Sequence, residues 1–97
     1  AGVDTQEGQK AMNRVELLDF TSGLISGARQ ADYGSPAEHF AAVAAVWSVL
    51  LGHPVTPVQV PLLMAALKLV RASHNHTHLD NWIDLAGYAA LAGEIST

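Results

Sequence analysis

The sequence predicts an all-α protein, a four-helix, up-down antiparallel bundle completed by oligomerisation. Apolar residues recur at helical spacing in four successive blocks, and no alternating strand pattern is present. Ser35-Pro36-Ala37-Glu38 and Thr56-Pro57-Val58-Gln59 both read as helix starts, with a hydroxyl N-cap, Pro at the first helical position and Glu or Gln at the third. The connections span only a few residues, which favours antiparallel neighbours.

Oligomerisation is expected from composition. Of the 97 residues, 49% are hydrophobic and only 14% charged. A domain this small buries a smaller share of its surface than a large one, and its charges are too few to cover a monomer. A homodimer or homotetramer joined through helix faces resolves this, and a compact monomer with an Ala-rich skin is the alternative.

Residues 1–11 are polar and glycine-containing, without a period, and read as a flexible N-terminal arm. Met12 reads as a candidate native start, and residues 12–97 as a single helical domain. The first helix is expected from Met12 to Ser26, with Val15, Leu18, Ser22 and Ile25 along one side, Leu17 and Leu24 beside it, and Gly27 as a stop. Arg29 to Gly34 reads as a loop. The second helix runs from the Ser35 cap to Leu51, burying Phe40, Val43, Ala44, Trp47, Leu50 and Leu51, and Gly52 ends it.

The third helix follows the Thr56 capping box, with Val60, Leu63, Met64, Leu67 and Val70 inward and Pro61 either costing a hydrogen bond or shifting the start. His74 to His78 form the link to a fourth helix over Leu79 to Glu94.

The formal net charge is −4, with five Lys and Arg residues in all, so the basic footprint of a nucleic-acid binder is missing. A small anionic ligand needs only one or two cations and fits this balance. The chain has no cysteine, which removes disulfides, thiol catalysis and cysteine-ligated zinc. The longest apolar run, Phe40 to Gly52, is too short to span a bilayer, and no charged-then-apolar leader opens the chain. A cytoplasmic location without membrane partners is expected.

The fourth helix carries the clearest signature. Asp80, Asp84 and Tyr88 fall at successive i, i+4 positions with Asn81 beside them, making one polar ridge on an otherwise apolar helix. A carboxylate on such a helix must be paired, protonated or metal-bound. Lys68 and Arg71, one turn apart on the preceding helix, are the expected partners. Two readings follow: a salt-bridge network, Asp84 with Lys68 or Arg71, that fixes helix register; or a site in which carboxylates hold a divalent ion while Lys68 and Arg71 meet nucleotide phosphates.

The run Arg29-Gln30-Ala31-Asp32-Tyr33-Gly34-Ser35-Pro36-Ala37-Glu38-His39-Phe40, then Trp47, Thr56-Pro57, Leu67 to Arg71, and His78 to Tyr88, resembles a family of short phage and prophage proteins common in actinobacterial hosts. The resemblance covers about residues 14–95. More distantly, the last helix is similar to the second metal-binding helix of the all-α nucleotide pyrophosphohydrolases of the MazG and dimeric dUTPase type.

That likeness implies Mg²⁺ held by Glu38, Asp80 and Asp84, which would also be the catalytic acids, and hydrolysis of a nucleoside triphosphate to monophosphate and pyrophosphate. Those enzymes gather four carboxylates. Here Ala41 and Ala42 stand where the first helix should offer a second acid, and Asn81 replaces an acid in the later motif, so three remain. A member that binds a nucleotide without cleaving it, or a purely structural oligomer, are the alternatives.

Three further features are weighed. Tyr33 beside Gly34 could offer an exposed ring to a base, with Arg29 as a phosphate contact, or could fold over the core. Together with Asn81 and Tyr88 these complete the expected ligand-binding set. His74, His76 and His78, with His39 and His53 elsewhere, form a weak transition-metal signal against a solvated turn, and His78 is expected to cap or orient the last helix.

Overall fold

A computed structural model describes residues 11–97, without the side chains of residues 28–30. The expected flexible arm lies outside the described residues apart from Ala11. Among the described residues five helices follow in order: α1 (Arg14–Leu24), α2 (Ala28–Tyr33), α3 (Pro36–Leu51), α4 (Gln59–His74) and α5 (Leu79–Ser96). No strand occurs among the described residues. The fold is therefore all-α; the four long helices are those read from the sequence, and α2 is an addition.

Helix α1 starts at a reciprocal capping box that the sequence reading missed. The Asn13 side chain accepts from the Glu16 amide at 2.8 Å, and the Glu16 carboxylate accepts from the Asn13 amide at 3.0 Å. Its inward side is Leu17, Thr21 and Ile25, while the expected Val15 and Leu18 are exposed. Thr21 can be buried because its hydroxyl donates to the Leu17 carbonyl within the helix. A Cβ on Gly87 of α5 would meet Ile25 Cγ2 at 3.1 Å and Thr21 Cγ2 at 3.5 Å, so a bare backbone at 87 sets how closely α1 lies on α5.

Residues expected as a loop form α2 instead. Left-handed Gly27 (φ 63°) lets the chain leave α1 and begin a new turn, closed by the Ala31 amide on the Gly27 carbonyl at 3.0 Å. Gly34 (φ 82°) ends the segment, and Ser35 then starts α3 with the expected capping box and Pro36 in its first turn.

Phe40 and Ala44 of α3 are buried with Val60 of α4, and Val43, Trp47, Val55, Leu91 and Ile95 pack around them. Leu50 and Leu51, expected inside, are 76% and 67% exposed. The following loop returns to α3 at Ser48, whose hydroxyl donates to Ala44 O and accepts the Val55 amide at 2.8 Å, one turn short of Leu51.

Half of the second capping box forms. Thr56 N donates to Gln59 Oε1 at 2.8 Å, but the N-cap is Val58, with no side-chain cap. Pro61 is buried in the first turn of α4, where an amide has no intrahelical acceptor, so it costs no hydrogen bond. Val60, Pro61 and Ala72 face inward with Met64 and Lys68 half-buried, whereas Leu63, Leu67 and Val70 are exposed. The real stripe is rotated because a helix apolar on several sides offers periodicity no unique phase.

Helix α5 is the centre of the layout: α4 is its principal partner, and α1 and α3 also pack on it. Among the described residues α1 and α3 share little contact, so the helix contacts do not trace the closed ring of a four-helix bundle. No helix among the described residues is long and apolar enough to cross a membrane.

Candidate ligand cleft and ion pair

Lys68 of α4 meets Asp84 of α5, Nζ to Oδ2, at 3.0 Å. It is the one salt bridge among the described residues, and of the two cations the sequence offered, the structure chooses Lys68. The lysine side chain is 14% exposed and the aspartate 35%, so the pair lies at the edge of the interior with the carboxylate nearer water. Arg71, one turn on, is exposed and so is Asp80.

The polar ridge on α5 therefore splits. Asp84 and Tyr88 turn half inward, Asp80 turns out, and Asn81 takes the buried place beside Ile83 and Gly87. Asn81 is 8% exposed, and its side chain has no hydrogen-bond partner among the described residues. Trp82 Nε1 donates to His76 O at 2.8 Å and ties the link between α4 and α5 to the last helix. His78, expected to cap or orient the last helix, is the N-cap residue of α5, and its side chain makes no cap hydrogen bond.

Glu38 is exposed and engaged in its own cap: its carboxylate accepts from Ser35 N at 3.3 Å and from Ser35 Oγ at 3.0 Å. Among the described residues no three His, Asp or Glu side chains gather where they could hold a metal ion. Glu38, Asp80 and Asp84 are thus not brought together within one chain, and neither are the linker histidines. With Asp84 already bonded to an ammonium, this donor set does not fit Mg²⁺ in a single chain.

Two adjoining hollows open where α1, α2, α3 and α5 converge. The first, about 350 Å³, is lined by Ile25, Tyr33, His39, Phe40, Tyr88 and Leu91 among others. The second, about 230 Å³, is lined by Lys68, Asp84 and Gly87 and shares Ile25, Tyr88 and Leu91 with the first. One end is aromatic: the Tyr33 and His39 rings lie 5.3 Å apart, centroid to centroid and tilted by 36°, and His39 lies 5.4 Å from Phe40. The other end is the ion pair.

Of the expected ligand set, Tyr33, Tyr88 and Lys68 line this cleft and Arg71 and Asn81 do not. The Arg29 side chain lies outside the described residues. Sequence reasoning missed His39, Phe40 and Ile25. The adjacency of His39 to Phe40 just inside a well-marked helix start, six residues after Tyr33, was the available signal.

A family model for a domain of unknown function (DUF6378) matches residues 16–96. The chain is 33% identical to the Gene 55 protein of Mycobacterium phage D29 over 79 residues, which is 81% of this chain and 52% of that protein. To the Gene 55 protein of Mycobacterium phage L5 it is 33% identical over 78 residues, 79% of this chain and 50% of that one. The chain thus spans about half the length of the curated relatives it matches. No solved structure matches it.

Proposed function

The chain belongs to the DUF6378 family, and we propose that it binds a small anionic, ring-bearing ligand of the nucleotide class without cleaving it. The observation that carries this reading is the joined cleft, aromatic at the Tyr33–His39 end and charged at Lys68. The larger hollow alone falls within the range of about 300–1,000 Å³ usual for small-molecule pockets. A planar base stacks or meets ring edges at the aromatic end. The Lys68 ammonium has three N–H donors, of which Asp84 takes one, leaving donors for a phosphate or a base edge. Pyrophosphate release in the manner of the MazG-type enzymes needs clustered acids around a metal, and one chain does not bring them together.

The test is a thermal-shift screen of mono- and triphosphate nucleotides and cyclic dinucleotides, each with Mg²⁺ and with EDTA. A ligand at about 100 times its Kd stabilises the fold by about 2.7 kcal/mol. In a domain of this size that is a shift of roughly 10–20 °C. We expect a saturable shift that survives EDTA and is lost in Tyr33→Ala and Lys68→Met, with no pyrophosphate formed. Pyrophosphate release dependent on Mg²⁺ and lost in Asp84→Asn would overturn the non-catalytic part. No shift with any nucleotide would leave the ion pair as a register device alone and refute the ligand reading.

A further inference from the structure

Helix α3 has no charged residue from Phe40 to Leu51, and its outer side is apolar. Ala41, Ala42, Ala45, Val46, Val49 and Leu50 are all exposed, on the side away from buried Phe40 and Ala44. The outer side of α4 repeats the pattern with Leu62, Leu63, Ala66, Leu69 and Val70. A helix on a monomer's surface turns polar residues to water; these two turn apolar ones. The buried hydrophobic core of the described chain is only Phe40, Ala44, Val60, Ala72 and Ile83, so the larger apolar side chains are mostly outside it.

We propose that the outer sides of α3 and α4 are an interface between two copies of this chain. The area is sufficient. Val46, Val49, Leu50, Leu51, Leu62, Leu63, Leu69 and Val70 are each at least half exposed. At roughly 100 Å² apiece they present on the order of 800 Å², the share one partner contributes to a standard interface.

The chemistry selects a second copy. Two chains each carrying a formal charge of −4 repel, and the Phe40–Leu51 stripe is a surface on which neither presents a charge to the other. Ala41, Ala42 and Ala45 let two helix axes approach closely, and a two-fold axis sets the stripe against itself. Because the stripe lies opposite the Phe40 side of α3, pairing leaves the aromatic cleft open, and this inference stands independently of the ligand reading.

Sedimentation velocity from about 1 to about 100 µM tests it, since association is concentration-dependent. The expected species is twice the 10.2 kDa chain mass. Val49→Asp, at a position 81% exposed in one chain, should keep the helical circular dichroism and weaken association at least about 100-fold, because two carboxylates would be forced together. Leu69→Asp does the same on α4. A mass of one chain across the whole range, or wild-type association by both variants, overturns the proposal.

Discussion

Removing either partner of the Lys68–Asp84 pair should destabilise the fold unequally. Breaking a fully buried ion pair costs about 3–5 kcal/mol, while an exposed pair is worth about 0–1 kcal/mol. Lys68 is 14% exposed and Asp84 35%, so the two single substitutions fall between these limits at different points. Asp84→Ala strands an ammonium that is largely out of water, for a loss of about 2 kcal/mol. Lys68→Met keeps the aliphatic stem packed and leaves a carboxylate that can rotate into solvent, for about 1 kcal/mol. The double variant strands nothing and should lose about 1.5 kcal/mol, leaving a coupling of about 1.5 kcal/mol. Urea unfolding followed by circular dichroism, at one protein concentration for all four chains, reads these differences. Additivity within about 0.5 kcal/mol, or a larger loss in Lys68→Met than in Asp84→Ala, would refute the reasoning.

Two further substitutions probe groups that sequence reasoning left unassigned. Ser48→Ala strands the Val55 amide that the hydroxyl accepts at 2.8 Å and should cost about 1–2 kcal/mol, with faster hydrogen exchange at Val55; an unchanged exchange rate would show that the loop does not depend on that bond. Asn81→Leu keeps the side-chain branching and removes an amide with no partner among the described residues, so the urea midpoint should rise by the equivalent of about 1 kcal/mol, and a fall of that size would reveal a polar partner beyond the single chain.

Local chemistry in the sequence was easier to read than phase. The Ser35 capping box and the Gly52 end of α3 are fixed by residues acting over three or four positions, and they stand where expected. So does an ion pair between Asp84 and a basic residue one helix earlier. The inward sides of α1 and α4 could not be phased, because Leu and Val lie on more than one side and the choice depends on packing over Gly87 and Val60. The choice of Lys68 over Arg71 follows from that same rotation. Helix α2 was invisible because six residues are too few to show a period. Glu38 and Asp80 share a residue type with Asp84 but not its neighbourhood within one chain.

The placement of α2 between Gly27 and Gly34 bears on the width of the cleft. Tyr33, which walls the aromatic end, is held by a six-residue helix entered and left through left-handed torsions. Nothing lies within 4 Å of a Cβ built at Gly27, so alanine there would meet a torsional cost of about 1–2 kcal/mol and no steric one. The distance between the Tyr33 ring and the Tyr88 side of the cleft thus depends on backbone angles at Gly34, which lines the cleft, and at Gly27, which does not. The width of the cleft can thus be retuned at Gly27, by a change that leaves every lining side chain in place.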